Sequence, residues 1–186
     1  MPNIKVIEYE ESEGRLREVY DDIIKTRGKL AEVHKIQSLR PESIVKHMDL
    51  YMEVMFGRSE LSRADREMIA VVVSSANSCE YCQIHHAVAL NHYWKNDSKV
   101  NQIRLNYTRA ELTDKQRELC NYASVLTKNP EITNQKKLTT DLVKVGWSDS
   151  AILDATLVIS YFNFVNRVVM SLGVVPNQDE VEGYKY

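Results

Sequence analysis

Hydrophobic residues recur at spacings of three and four along almost the whole chain of 186 residues. This spacing is typical of amphipathic α-helices, whereas half-buried strands would show strict alternation, and no stretch alternates over more than a few positions. The sequence therefore predicts an all-α fold, a helical bundle of about eight helices. The predicted helices lie near residues 12–27, 41–57, 62–76, 79–94, 97–104, 113–128, 135–144 and 149–172.

Charge and hydropathy predict a cytoplasmic protein that binds neither nucleic acid nor membranes. The net charge is −2, and the N-terminal residues lack the apolar run of a signal peptide. The most apolar segment, 151–172, is interrupted by Asp154 and Arg167, whereas a spanning helix is nearly free of charge over about 20 residues. In a reducing compartment a CxxC pair is more often catalytic or metal-binding than a structural disulfide.

The last predicted helix, 149–172, is apolar over well over half of its circumference. Such a helix lies either at the centre of a core or between two subunits. The sequence leaves both possibilities open, and we expect a homo-oligomer.

Two of the three cysteines, Cys79 and Cys82, lie three residues apart. Ser78 suits the N-cap of a helix, which would place both thiols in the first turn, where the helix dipole favours the thiolate. At about 100° per residue, Cys79, Cys82 and His86 share one face of that helix. His86 can therefore exchange a proton with Cys82, directly or through a water.

Glu67 lies in the preceding predicted helix, and a tight turn joins that helix to the one with the cysteines. The two helices should pack antiparallel as a central pair carrying the CxxC motif. Counted from the turn, Glu67 lies as deep as His86, so its carboxylate should orient the imidazole and raise its basicity. The predicted proton relay runs from Glu67 through His86 to Cys82.

Other interpretations compete with this one. Glu67 could be a solvated helix residue. His85 lies on the flank of the reactive face and is given no role. Cys120 is interpreted as a small buried hydrophobe. A zinc site could use Cys79, Cys82 and His86, with Glu67, His85 or Cys120 as the fourth ligand. Structural zinc sites usually have a second closely spaced ligand pair, which this chain lacks, so redox chemistry is favoured over a metal site.

Glu67, Cys79, Cys82 and His86 follow the spacing E-x11-C-x2-C-x3-H. This pattern resembles the signature of alkylhydroperoxidase D-like proteins, which belong to the carboxymuconolactone decarboxylase superfamily. The segment YFNFVNRVVMSLGV is similar to the peroxidase-related subgroup. The chain length predicts a single all-α domain over residues 1–186. The resemblance implies an alkylhydroperoxidase D-like core over 41–124, with helical extensions over 1–40 and 125–186.

The resemblance implies a thiol-dependent peroxidase that reduces organic hydroperoxides or hydrogen peroxide without a cofactor or metal. Cys82 would attack the peroxide and form a sulfenic acid, and Cys79 would resolve it as a disulfide. Glu67 and His86 would be the proton relay. An external lipoyl or thioredoxin-like dithiol would reduce the disulfide, and the subunits would form dimers, trimers or hexamers.

Two points lie outside the resemblance. The helix dipole favours Cys79 as the nucleophile and the nearness of His86 favours Cys82, so only the resemblance selects Cys82. Well-studied relatives carry a histidine where this chain has Tyr81, and a phenol cannot act as a base at neutral pH.

The alternatives to a peroxidase are a thiol-disulfide oxidoreductase acting on a lipoyl or protein dithiol, and a non-catalytic zinc-binding helical module.

Overall fold

The computed structural model describes residues 2–131, 136–176 and 180. Every regular element within these ranges is helical, so the all-α prediction is confirmed. Short 3-10 turns lie at Tyr9–Glu11 and Tyr107–Arg109. The α-helices are α1 (Gly14–Arg27), α2 (Glu32–Lys35), α3 (Pro41–Phe56), α4 (Arg63–Ala76), α5 (Glu80–Trp94), α6 (Asp97–Asn106), α7 (Asp114–Lys128), α8 (Lys136–Lys144) and α9 (Asp149–Ser171).

The eight predicted helices correspond to α1 and α3–α9. The sequence analysis did not predict α2, because one helical turn is too short to show a period in its hydrophobic residues. The side chain of His34 on α2 is buried, so this single turn contributes a polar group to the interior.

Helix α4 occupies the centre of the bundle. It packs against α3, α5, α6, α7 and α9, and its residues 68–73 are at most 2% exposed. A helix that is apolar all round requires neighbours on every side. Helix α5 lies antiparallel to α4, as predicted, but packs chiefly against α4 and α6. The central element is therefore α4 rather than the pair.

The turn between α4 and α5 sets the position of the cysteines. The N–H of Cys79 donates to the carbonyl of Ser74 at 2.8 Å, and the N–H of Ser78 donates to that of Ser75 at 3.0 Å. Ser78 itself adopts a left-handed conformation with φ of 58°. These bonds form a Schellman motif, which satisfies the last carbonyl groups of α4.

The prediction that Ser78 caps α5 is wrong. Cys79 is the N-cap residue, with extended backbone angles, and the helix begins at Glu80. The physical reason is that the Schellman motif needs a left-handed residue at position 78, and an N-cap must be extended. Cys79 therefore lies at the entrance of α5, and Cys82 lies in its first turn.

Helix α9 packs one face against α3, α4 and α7 and leaves several large apolar side chains at the surface. By length and composition α9 could cross a membrane, and half of its most apolar 18-residue window is buried inside the fold. Its exposed apolar side chains are Leu153, Leu157, Phe164 and Met170.

Replacing Ser78 by glycine should stabilise the protein. A left-handed conformation costs an L-residue up to about 1 kcal/mol more than it costs glycine, so the free energy of unfolding of Ser78→Gly should rise by up to that amount. The measurement is urea denaturation followed by circular dichroism. The matched control is Ser75→Gly, three residues earlier and in helical conformation. Its free energy of unfolding should fall by about 0.5–1 kcal/mol. A destabilised Ser78→Gly variant would contradict the assignment.

Candidate active site

A cavity of about 100 Å³ lies along one face of α5, and we call it the α5 cavity. Helix α5 lines it with residues spaced three and four apart: Tyr81, Cys82, His85, His86 and Ala89. Four of the five histidines in the chain line this one cavity. The remaining lining residues are Arg27, Ala31, Val33, His34, His47, Met48, Tyr51, Glu67, Tyr161, Phe162 and Val165.

The predicted contact between Glu67 and His86 is present. Glu67 Oε2 lies 2.7 Å from His86 Nδ1, and the glutamate side chain is only 1% exposed, so it is not a solvated residue. Its other oxygen accepts a hydrogen bond from Arg63 at 2.7 Å. A carboxylate accepts only, so His86 Nδ1 carries the hydrogen and Nε2 presents its lone pair when the ring is neutral. Arg63 is a member of this group that sequence reasoning missed, although its spacing of four from Glu67 is a signal.

The thiols of Cys79 and Cys82 are reduced, buried and joined by a hydrogen bond of 2.9 Å. Cys82 lines the α5 cavity, while Cys79 is not among the described lining residues. The hydrogen bond lowers the pKa of Cys79 against the opposing effect of burial. The same hydrogen bond, together with burial, raises the pKa of Cys82. The negative charge of the pair therefore favours Cys79, and Cys82 needs a base to become a thiolate.

Asn166 of α9 approaches the thiols from the core and was missed by sequence reasoning. It is fully buried, its Nδ2 donates to Ser74 Oγ at 3.2 Å, and its Oδ1 accepts from Asn77 Nδ2 at 2.9 Å. Hydrogen bonding from Asn166 lowers the pKa of Cys82, against the larger effects of Cys79 and burial. Asn166 lies within the YFNFVNRVVMSLGV segment, so the signal was present but carried no assigned chemistry.

Tyr81 and His85 form a second polar group at the α5 cavity. Their rings are 4.2 Å apart, and the Tyr81 hydroxyl donates to the carboxylate of Glu180. His85 Nδ1 lies 2.8 Å from the Tyr81 carbonyl, and its Nε2 lies 3.5 Å from Glu180 Oε1. The expectation that His85 sits off the reactive face is wrong, because it lines the same cavity as Cys82 and His86. Glu180 is distant in sequence, and no sequence signal pointed to it.

Two buried histidines from other helices, His34 and His47, form a further wall of the cavity, and sequence reasoning also missed them. Burial lowers the pKa of His34 to about 3 and that of His47 to about 4, so both are neutral at pH 7. His47 Nε2 is 2.6 Å from the Tyr161 hydroxyl, and its Nδ1 is 2.7 Å from Gln37 Nε2. This wall therefore offers polar atoms without adding charge.

Cys120 lies apart from this site. It is fully buried in α7, where burial raises its pKa, and it does not line the α5 cavity. In the described part of the chain, no group of three or more His, Cys, Asp or Glu side chains is arranged to hold a metal ion.

Comparisons with known proteins match the part of the chain that contains Glu67, Cys79, Cys82 and His86 to a known family. Residues 44–106 match the carboxymuconolactone decarboxylase family. No curated protein matches the sequence at a significant level. Among solved structures, a peroxidase-related protein from Silicibacter sp. TM1040 is 29% identical, with a TM-score of 0.81 over 89% of this chain and 86% of that one.

Two further structures share the fold. A peroxidase-related protein from Ralstonia eutropha JMP134, described as an alkylhydroperoxidase AhpD core, is 24% identical, with a TM-score of 0.86 over 97% of this chain and 94% of that one. The debrominase Bmp8 is 20% identical, with a TM-score of 0.74 over 90% of this chain and 92% of that one. The fold is therefore shared by a debrominase and by uncharacterized proteins described as peroxidase-related.

The buried histidines should make the protein less stable in acid. Between about pH 4 and 6.5 the unfolded chain binds a proton at His47 that the folded protein does not, so the free energy of unfolding falls as the pH falls through this window. Above about pH 6.5 both states are neutral at His47, and its contribution is constant. In His47→Gln the slope within the window should be smaller by up to about 1.4 kcal/mol per pH unit.

The measurement is urea denaturation at a series of pH values. Tyr161→Phe is the matched control, because it removes the hydrogen bond to His47 Nε2 and leaves the titrating ring in place. It should lower stability at every pH and keep the slope of the wild type. Equal slopes in His47→Gln and wild type would show that His47 binds a proton in the folded protein as readily as in the unfolded chain.

Proposed function

We propose that the chain, which is similar to the carboxymuconolactone decarboxylase and alkylhydroperoxidase D superfamily, is an antioxidant enzyme, a thiol peroxidase that reduces hydrogen peroxide or organic hydroperoxides. One observation carries the proposal: a pair of reduced thiols 2.9 Å apart, one of which faces a cavity also lined by a carboxylate–imidazole pair. The family name and the neighbouring structures support an enzyme of this kind, and the residue roles below are our proposal.

The first step activates Cys82. Its raised pKa keeps it as a thiol at rest, so a base must remove the proton before attack. His86 is that base, because Glu67 holds the hydrogen on Nδ1 and leaves the lone pair of Nε2 available. The proton passes directly or through one water, since no hydrogen bond links His86 to Cys82 among the described residues.

The second step oxidises the thiol. The Cys82 thiolate attacks the terminal peroxide oxygen, the S–O bond forms as the O–O bond breaks, and an alcohol or water leaves with one proton. Cys79 then attacks the sulfur of the sulfenic acid, hydroxide leaves and is protonated to water, and the disulfide forms. Because the sulfurs are already 2.9 Å apart and Cys79 has the lower pKa, this resolution needs little movement. Each cycle transfers two electrons to the peroxide.

The electron donor is an external dithiol. Both cysteines are at most 2% exposed and Cys82 lines the α5 cavity, so a reductant would reach the disulfide through this cavity. A slender dithiol of the lipoyl type suits this access better than a thioredoxin-like protein, whose folded surface cannot enter a cavity of about 100 Å³. We assign no cofactor or metal to the reaction.

The same pair also suits thiol-disulfide exchange, and this is the second candidate function. The lowered pKa of Cys79 favours a thiolate, which is the species that attacks a disulfide. In that function the α5 cavity would receive the disulfide of a lipoyl group, and peroxide reduction would be incidental.

We also propose that the protein self-associates through the outer face of α9. Leu153, Leu157 and Phe164 repeat at intervals of four and seven residues, and they are 58%, 43% and 47% exposed. Leu50 of the neighbouring α3 is a further exposed apolar side chain at 46%. A second copy of the same helix would cover this stripe in a symmetric dimer.

The peroxidase proposal is tested with fully reduced protein and one equivalent of an organic hydroperoxide. We expect rapid loss of peroxide and a Cys79–Cys82 disulfide on peptide mapping. Cys82→Ser should abolish the reaction, because it removes the nucleophile. Cys79→Ser should consume peroxide and accumulate a sulfenic acid at Cys82, which a dimedone adduct would detect by mass spectrometry.

Cys120→Ser is the matched control, since it removes a buried thiol outside the cavity and should react like the wild type. Peroxide loss no faster than with a free thiol, together with exchange with dihydrolipoamide, would favour the oxidoreductase instead. One zinc per chain in protein purified without chelator, lost in Cys82→Ser, would contradict both redox functions.

Self-association is tested by sedimentation velocity. Leu157→Glu places a charge in the α9 stripe and should weaken association by about 10-fold or more. The matched control Leu105→Glu changes a leucine of α6 that is 88% exposed, and it should keep the oligomeric state of the wild type. A monomeric wild type, or equal behaviour of the two variants, would rule out this surface as the interface.

A further inference from the structure

We propose that His85 is the catalytic acid that protonates the departing alcohol, and that Glu180 and Tyr81 position it. The inference rests on the proposed peroxidase function and deepens it, because it assigns the proton that the leaving group needs. It also gives a use to the second polar group at the α5 cavity, which the relay of Glu67 and His86 does not involve.

The hydrogen-bond acceptors around His85 determine its protonation. Nδ1 lies 2.8 Å from the Tyr81 carbonyl, which can only accept, so this nitrogen carries a hydrogen. Nε2 lies 3.5 Å from a carboxylate oxygen of Glu180, which also only accepts. Both ring nitrogens therefore face acceptors, so each can present a hydrogen to an oxygen atom.

Glu180 is held as a carboxylate. Burial opposes its ionisation, but hydrogen bonds from His85, Tyr81 and the Glu32 backbone outweigh burial and lower its pKa. The Glu32 N–H donates to Oε1 at 2.9 Å, and Lys29 Nζ donates to the Glu180 carbonyl at 2.6 Å. The side chain is 6% exposed, so its negative charge is paired inside the protein rather than in solvent.

The two imidazoles beside Cys82 have opposite surroundings. On α5, His85 and His86 fall about 60° and 40° to either side of Cys82. Among the described residues, His86 Nδ1 donates a hydrogen bond to Glu67, and Nε2 has no acceptor opposite it. Nε2 can therefore take a proton. His85 faces two acceptors. One ring is therefore arranged as the base and the other as the acid.

The chemical step balances with these two groups. His86 takes the proton of Cys82, and the thiolate attacks the terminal oxygen of the hydroperoxide. The S–O bond forms, the electron pair of the O–O bond goes to the alkoxide oxygen, and His85 Nε2 gives that oxygen its proton. The sulfenic acid keeps the peroxide hydrogen. Return of one proton from His86 to solvent and uptake of one by His85 restores both rings.

The acid role of His85 accounts for Tyr81, which stands where well-studied relatives carry a histidine. Tyr81 cannot exchange a proton as a histidine would at neutral pH. It instead stacks on His85 at 4.2 Å, accepts the Nδ1–H through its backbone carbonyl and donates its hydroxyl to Glu180. The proton-transfer role thus moves one turn along α5, from position 81 to His85.

The test varies the leaving group. An alkoxide is a strong base and needs a proton as it departs, whereas the acetate released from peracetic acid is stable at neutral pH. Reduced wild type, His85→Gln, Glu180→Gln and Tyr81→Phe are mixed with tert-butyl hydroperoxide or peracetic acid, and the rate of Cys82 oxidation is followed by rapid quench. His92→Gln, an exposed histidine at the far end of the same helix, is the matched control.

His85→Gln should slow the reaction with tert-butyl hydroperoxide by about 100-fold or more and leave the reaction with peracetic acid unchanged. Glu180→Gln and Tyr81→Phe should show the same selectivity with smaller losses, because they act through His85. His92→Gln should match the wild type with both oxidants. Circular dichroism and thermal unfolding identify any variant that has lost its fold.

Equal losses with both oxidants in folded His85→Gln, or no loss with either, would overturn the acid role and leave the peroxidase function standing. A wild type that reacts with neither oxidant, although its thiols are alkylated normally, would instead overturn the proposed function and this inference with it.

Discussion

The buried carboxylate of Glu67 is the constraint on which the site depends. An unpaired charge inside a protein costs several kcal/mol, and a paired one is tolerated only with good geometry. Arg63 and His86 provide that geometry at 2.7 Å each. Arg63 also donates to the Met55 carbonyl at 2.5 Å and lies 3.8 Å above the Phe56 ring. The one carboxylate therefore ties the end of α3 and the start of α4 to the reactive face of α5.

The tight turn between α4 and α5 adds the second constraint, which is on the thiols. The Schellman motif fixes Cys79 at the entrance of α5, where the helix N-terminus stabilises a thiolate. Cys82 then faces the cavity from the first turn. The charge of the reduced pair favours Cys79, the sulfur away from the cavity, and Cys82, the sulfur that lines the cavity, stays protonated at rest. This division follows from the hydrogen bond between the two thiols, which the turn brings together.

The sequence predicted contacts between neighbouring helices, which follow from residue spacing. It missed the site residues that come from helices distant in the chain. Glu67 and His86 could be paired because two helices joined by a tight turn have a defined depth from that turn. His47, Asn166 and Glu180 come from elements far away in the chain, and helical periodicity does not say which helices meet. The error at Ser78 has a different cause. Serine suits an N-cap, but the end of α4 and the start of α5 share the same few residues. The C-terminal motif of α4 requires a left-handed residue at position 78, so Ser78 cannot also be the N-cap of α5.

Four histidines share one cavity, yet their neighbours give them different charges. Burial is the main reason that His34 and His47 are neutral, and both rings offer polar atoms to the cavity without a charge. Glu67 orients His86 as an acceptor, while His85 is placed between a carbonyl and a carboxylate. Identical side chains that line one cavity thus have different surroundings, which the groups facing each ring nitrogen determine. For this reason a motif that counts histidines predicts the place of the chemistry but not the direction in which each proton moves.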